Sequence, residues 1–265
     1  MESEKRSAAE IVKTFYDDFG WRTDGNPSGE DELFRTFPPA YQTYQPLAGE
    51  RMLKAFEGRS GTLLIVGGGD MPDAHLRLAH QFEKVICLDI SKVALEISEQ
   101  KLGERGTYVL GSIVDIDLPD QVVDAAYCAH VIYHIDRDQQ EQAVRQMIRL
   151  TKPGGRIVYL YANPRSPFTL PGELMRWLKG FAKRAAAPEL YYHAHTLGWW
   201  RRFQDQCKVS YEPSEAIGSR PAMALLKSRA AANGFFKGAR WLQDRAPGLA
   251  ARLWQYPMLI LDRKA

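Results

Sequence analysis

The chain has 265 residues, 45% apolar and 25% charged, the balance of a water-soluble protein with ample core material for one elaborated domain. No apolar run approaches the roughly 18 residues of a membrane span, and the opening MESEKRSAAE lacks the apolar centre of a secretory leader. The net charge of +3 hides an asymmetry that excludes a uniformly basic nucleic-acid binder: residues 1–150 hold 16 Lys+Arg against 25 Asp+Glu, and residues 151–265 hold 19 against 7.

The elements follow in chain order. SAAEIVKTFYDDF, residues 7–19, has helical apolar spacing, and Ser7 with Glu10 forms a capping box. A Gly/Pro/Asp-rich loop and a short acidic helix near Glu30 to Arg35 come next. FPPAYQTYQP is expected to be an irregular, aromatic-bearing connector, and AGERMLKAFEG a helix ending at Gly58. TLLIVG then opens a strand–helix alternation. Its members are a helix over 72–82 with Pro72 in its first turn, the strand KVICLDI, a helix capped by Ser91, the strand TYVLG, and VVDAAYCAHVI running into a turn. A helix opened by Asp136 and the strand GGRIVYLYA complete it. Five continuous apolar strands separated by helices argue for a parallel sheet covered on both faces. Beyond lie an amphipathic basic helix in LPGELMRWLKGFAKRAAA, a helix in TLGWWRRFQDQC with Thr196 as its cap, the strand KVSYEP, helices over 221–253 and the strand YPMLILDRK. The expected division is an N-terminal helical cap over 1–59 and a core over 60–265, with lid insertions at about 164–195 and 219–253.

Cys87, Cys128 and Cys207 have no CxxC neighbour; they read as reduced thiols of a cytoplasmic protein, and no metal site is expected.

Chemistry begins at VGGGD. Gly67, Gly68 and Gly69 sit between a strand and a helix, where missing Cβ atoms allow a sharp turn and close ligand approach. Asp89 ends the second strand 20 residues after Gly69, the place from which a carboxylate accepts hydrogen bonds from ribose hydroxyls. Together they indicate a nucleoside-containing cofactor. Asp70 sets a negative charge where a dinucleotide pyrophosphate would lie, which is unfavourable; a cofactor carrying an amino group and a sulfonium tolerates it. The loop chemistry therefore points from NAD toward S-adenosyl-L-methionine.

LTKPGGRIVYLY closely resembles the helix–PGG–strand signature of class I S-adenosylmethionine-dependent methyltransferases, and LPDQVVDAAYCAHVIYHI resembles the segment in which an Asp, here Asp124, opens their fourth strand. With VGGGD and LDIS, the resemblance covers about residues 60–162. It implies a Rossmann-like, doubly wound α/β sheet of seven strands, mostly parallel with an antiparallel final strand, plus helical lid insertions. It also implies that Gly67, Gly68 and Gly69 flank the methionine part of the cofactor. Asp89 would hold the ribose, Ile90 would pack on the adenine, Ser112 and Ile113 would flank its edge, and His130 would lie near the sulfonium. Tyr16 is a candidate for the cofactor carboxylate. Departures are Ile65, where the family often has an acidic residue, Met71 in place of a third glycine, and Ser112 where many members have Asp; Asp70 is the candidate that compensates. The GGGD loop is also similar to that of aminopropyltransferases, but their acidic polyamine site is absent from this sequence.

Methyl transfer from a sulfonium is an in-line displacement that needs alignment, exclusion of water, and a base only where the nucleophile arrives protonated. His134 and His195 are the candidate bases, each weighed against a packing role; His75 and His80 read as structural. Trp21, Tyr133, Tyr191, Tyr192 and Trp199 are candidate walls of a small-molecule pocket, Trp200 beside them. The expected activity is methylation of oxygen or nitrogen on a small organic molecule, with aromatic acceptors of specialised metabolism among the candidates. The alternatives are a methyltransferase for a lipid or quinone at the membrane surface, acting through the basic helix, and a non-catalytic cofactor-binding protein. No nucleic-acid partner is expected, and membrane contact is the less favoured reading of that helix.

Overall fold

The computed structural model describes residues 7–15, 39–169, 191–218, 221–222, 225–226 and 228–265. Tyr16, Trp21 and the expected basic helix of residues 172–184 lie outside the described residues.

Helix α1, Ala8–Phe15, carries the expected reciprocal cap: the Ser7 N–H donates to the Glu10 carboxylate at 3.0 Å, and the Glu10 N–H to Ser7 Oγ at 3.2 Å. The stretch read as an irregular connector is helical instead, as α2, Pro39–Tyr44, whereas the helix expected in AGERMLKAFEG is present as α3, Pro46–Ala55, which starts two residues earlier and ends before Gly58. The prolines start these helices rather than preventing them, because the first-turn N–H they lack has no intrahelical partner anyway.

Seven strands follow: β1 Thr62–Val66, β2 Lys84–Asp89, β3 Gly106–Leu110, β4 Val123–Ala129, β5 Thr151–Leu160, β6 Cys207–Glu215 and β7 Tyr256–Arg263. Helices α4, Asp73–Ala79, α5, Lys92–Leu102, and α6, Gln140–Leu150, lie between them; α7, Arg229–Arg245, and α8, Pro247–Leu253, connect β6 to β7. The sheet order is β3-β2-β1-β4-β5-β7-β6. The first five strands pair in parallel, and β7 runs antiparallel to both β5 and β6. This is the doubly wound sheet with a reversed last strand.

Both faces are covered, as the continuous apolar strands require. Leu64, Val66, Cys128 and Ile157 pack with Met147 and Ile148 of α6 on one face; Leu63, Ile65, Tyr127 and Val158 pack with Phe56 and Leu78 on the other. A third cluster joins Tyr41 and Tyr44 to Phe236 and Trp254, fastening α2 to the α7–α8 layer. Trp200, a candidate pocket residue, is wholly buried against Tyr159 and Tyr161. At the amino ends of the strands, Asp124 accepts the Thr62 N–H at 2.8 Å and pairs with Lys152 Nζ at 2.8 Å. Burial pushes its pKa upward, but the Lys152 ammonium and the Thr62 N–H outweigh this and hold it below its usual value.

Two expected caps are absent. Helix α6 begins at Gln140, and Asp136 instead accepts the Ala8 N–H at 3.2 Å, tying α1 to the turn after β4. Thr196 makes no side-chain cap, and Leu197–Phe203 is a 3-10 helix packed by Trp200 and Phe203.

Candidate functional site

The sheet reverses its winding between β1 and β4, and ligands of such sheets bind in the crevice at the carboxyl ends of these strands. Gly67 leaves β1 there, its N–H donating to the Leu88 carbonyl at 2.8 Å; His130 leaves β4, its N–H donating to the Leu160 carbonyl at 2.9 Å. Gly67 has φ +65°, and a Cβ on it would lie 2.2 Å from Val131 Cγ2. The first glycine is therefore demanded by the turn after β4. Gly69 has φ +58°. Met71, where a third glycine was expected, adopts φ +53° and is wholly buried, so its side chain plugs the core beneath the loop at some cost in backbone strain. Lys101 Nζ donates to the carbonyls of Asp70 and Met71, clamping the far side of the loop. His75, read as structural, stands edge-on to Tyr127 at 5.0 Å. Desolvation lowers its pKa to about 4, against a hydrogen bond to the Gly68 backbone.

Because β3, β2 and β1 are consecutive in the sheet, Ser112–Ile113, Asp89–Ile90 and Gly67–Gly69 lie in a row along one rim. Asp89 Oδ1 accepts the Ser91 N–H at 2.9 Å, and Oδ2 accepts the Gly69 N–H at 3.4 Å, so one carboxylate bridges the loop and the start of α5. Ile113 is buried, Ile90 is half-buried, and Ser112 Oγ accepts the Val114 N–H at 3.2 Å. The rim offers two acidic residues, Asp70 and Asp89, and its nearby cation, Lys101, is already engaged on loop carbonyls. That donor set fits a nucleoside with a positively charged tail and disfavours a pyrophosphate.

On the β4–β5 side the rings converge. His130, at φ +60°, places Nδ1 2.7 Å from the Tyr133 hydroxyl and stands edge-on to Tyr256 at 5.0 Å. Desolvation, reinforced by His134 and His75, depresses its pKa to about 4 and keeps the ring neutral. His134 Nδ1 lies 2.6 Å from the Tyr191 carbonyl. A carbonyl only accepts, so Nδ1 carries the proton and the neutral ring presents its lone pair at Nε2. Desolvation lowers the His134 pKa, partly opposed by that carbonyl bond. His195 stacks on Trp199 with centroids 4.4 Å apart, and Arg202 lies 4.7 Å from the same indole. Desolvation, then His193, Arg202 and Arg137, lower its pKa to about 4.

The segment from Tyr191 to His195 is laced onto the turn after β4. The His193 N–H donates to the Tyr133 carbonyl at 2.8 Å, and the His195 N–H to the Tyr161 hydroxyl at 2.8 Å. Gln140 Nε2 donates to the carbonyls of both Ile135 and His193 at 2.9 Å. Of the candidate pocket walls, Tyr133 is buried in this knot, Tyr192 is exposed against Tyr133 at 5.1 Å, and the Tyr191 hydroxyl oxygen accepts the Arg137 N–H at 3.0 Å. An open cavity of about 730 Å³ lies beside Tyr191, lined by Ser7, Ala8, Ile11 and Asp136–Asp138.

Sequence reasoning missed Tyr161, Tyr256, Gln140 and Val131. Tyr161 directly follows the end of β5, so its position alone marked it. Tyr256 reaches His130 only because β7 is inserted antiparallel beside β5, a pairing that no local pattern announces.

A family model described as a methyltransferase domain matches residues 66–159. The chain is 27% identical over 161 residues to the ubiquinone/menaquinone biosynthesis C-methyltransferase UbiE of Yersinia pestis, a match covering 54% of this chain and 63%, less than two thirds, of that protein. Its fold resembles geranyl diphosphate C-methyltransferase from Streptomyces coelicolor, crystallised with Mg2+, geranyl diphosphate and S-adenosyl-L-homocysteine, at a TM-score of 0.61 and 13% identity over 98% of this chain and 100% of that one. It also resembles magnesium protoporphyrin IX methyltransferase from Synechocystis with bound S-adenosyl-L-homocysteine, at 0.60 and 13% over 97% and 100%.

Proposed function

We propose that this chain, whose residues 66–159 match a methyltransferase-domain model, takes its methyl group from S-adenosyl-L-methionine and transfers it to oxygen or nitrogen of a small planar aromatic molecule. The donor supplies an electrophilic methyl group on a sulfonium. Asp89 would take the ribose hydroxyls, Ile90 and Ile113 the adenine, and the Gly67–Gly69 loop the methionine portion. The rest falls to this chain's own side chains: orienting the acceptor, shedding its water and, where it arrives protonated, holding its proton.

The observation that carries the reading is the fixed tautomer of His134. Its Nδ1 proton is committed to the Tyr191 carbonyl, so Nε2 is a proton acceptor at the carboxyl end of β4. His130 is held neutral next to it. Tyr192 and His195 on Trp199 add flat, half-exposed surface suited to an aromatic acceptor.

The test is transfer of labelled methyl to a panel of phenols and arylamines, with the wild type and with His134→Ala. The variant should keep its affinity for S-adenosyl-L-homocysteine in calorimetry and lose about 10²–10⁴-fold in turnover. Unchanged turnover removes His134 as the base. The kinship with a quinone C-methyltransferase favours one second reading, a membrane-resident quinol as acceptor; methylation of a quinol in vesicles, with none of the soluble panel, would select it.

A further inference from the structure

The connection between β6 and β7 carries a surface that neither the fold nor the methyl-transfer chemistry explains. Helix α7 turns Ala232, Phe236, Ala239 and Gln243 inward onto Tyr41 and Tyr44. Its outer stripe is Lys237, Trp241 and Arg245, spaced four apart and therefore stacked along one face. Trp241 is 61% exposed, Leu249 of α8 is 52% exposed and Leu225 is 50% exposed.

The described residues of the same insertion expose the cations Arg229, Lys237, Arg240, Arg245 and Arg252, against one exposed carboxylate, Asp244, and Lys237 and Arg245 flank Trp241 one turn away on either side. None of the five cations makes an ion pair among the described residues. Several arginines elsewhere are engaged, Arg145 and Arg202 with Glu141, Arg149 with Asp120 and Arg156 with Asp262, while Arg165 and Arg201 also make no ion pair among the described residues. Gly234 and Gly238 sit within the same helix, where a Cβ would touch nothing and φ is ordinary. Each weakens the helix relative to alanine, with no packing reason on the inside. On the outside they leave low ground beside a projecting indole.

We propose that the outer face of α7–α8 docks the protein on an anionic phospholipid surface, with Trp241 and Leu249 seated at the headgroup level and the unpaired cations on lipid phosphates. Charge complementarity selects this occupant. A second copy would bring the same net-positive face against itself, whereas an anionic bilayer satisfies cations and indole together. The inference is independent of the acceptor's identity.

The test is sedimentation of the whole chain with vesicles of phosphatidylcholine alone, or with roughly one third phosphatidylglycerol added. The protein should sediment with the anionic vesicles only, and salt near ~1 M, where the Debye length is about 3 Å, should release it. Lys237→Glu/Arg240→Glu/Arg245→Glu should lower partitioning at least about a hundredfold, at roughly fivefold per cation lost. Trp241→Ser should lower it several-fold and serves alone if the charge-reversed chain fails to fold. Thermal unfolding and calorimetry with S-adenosyl-L-homocysteine check that each variant is native. Equal binding to both vesicle types, no binding to either, or undiminished binding by Trp241→Ser and the charge-reversed variant overturns the proposal. So does a concentration-dependent dimer abolished by Trp241→Ser, which would assign the face to a second copy.

Discussion

Replacing Gly67 with alanine separates the part of the crevice that packing demands from the part that a ligand demands. Two costs arise. An L-residue at φ +65° pays about 1–2 kcal/mol for the left-handed conformation. The new Cβ would also stand 2.2 Å from Val131 Cγ2, far inside the usual ~3.5–4.0 Å contact. Overpacking of this kind costs about 1–3 kcal/mol, so Gly67→Ala should destabilise the fold by roughly 2–5 kcal/mol. Val131 Cβ lies 3.5 Å from the same point, an ordinary contact, so Val131→Ala removes the overlap at the cost of Val131's own packing against the core. The double variant should therefore be about 1–3 kcal/mol more stable than the two single losses summed. Urea unfolding with an unchanged slope measures the cycle, and calorimetry with S-adenosyl-L-homocysteine measures whether the crevice recovers. Additivity within about 0.5 kcal/mol would mean that the β4 turn does not dictate the glycine.

Two further outcomes follow from the same geometry. Asp89→Ala should weaken binding of S-adenosyl-L-homocysteine by about 1–3 kcal/mol, the cost of leaving hydrogen-bonding groups unpaired; unchanged affinity by calorimetry refutes its role on the ribose. Acidification should destabilise the fold through His75 and His130, both held near a pKa of about 4 by desolvation. Their rings stay neutral in the native protein but protonate below about 6.5 in the unfolded chain, so the unfolded state binds more protons between those values, and stability falls as pH falls through that window. From pH 6.5 to 5 each ring accounts for roughly 2 kcal/mol. His130→Asn should flatten the dependence measured by urea unfolding at pH 7 and 5, and an unaltered slope would remove His130 from the account.

The turn after β1 and the end of β2 were readable in advance because each of their signals is local. The strand–glycine–helix turn, the acid at the end of β2 and the Ser91 cap, whose Oγ accepts the Ala94 N–H at 3.3 Å, each depend on a few neighbouring residues. The misreadings occurred where one residue type serves two ends. Pro39 and Pro46 read as breakers yet occupy first-turn positions. Asp136 read as the cap of α6 yet serves α1, 128 residues away in sequence. The knot around Tyr133 was only half legible: its members announced themselves as aromatic, but the bonds from Gln140 and Tyr161 to the 193–195 strand of contacts join segments more than 30 residues apart.

One topological fact links the rings around His130 to the basic face. Strand β7 runs against β5, so it starts where β5 ends, at the crevice, and Leu160 pairs with Met258. Tyr256 thereby meets His130, and the last residues of β6 arrive at the same end, with Glu215 opposite Tyr256. Everything inserted between β6 and β7 must therefore leave from and return to the end of the sheet that carries His130. That insertion is α7–α8, which carries Trp241 and the unpaired cations. Asn163, just beyond β5, donates to the carbonyls of Arg252 and Trp254 at 2.8 and 3.2 Å, fastening the end of α8 directly to the strand that bears Tyr161. A basic helical layer inserted after β3, or at the amino ends of the strands, would have had no such connection. The reversed last strand is thus what returns the α7–α8 insertion to the end of the sheet where Tyr256 meets His130.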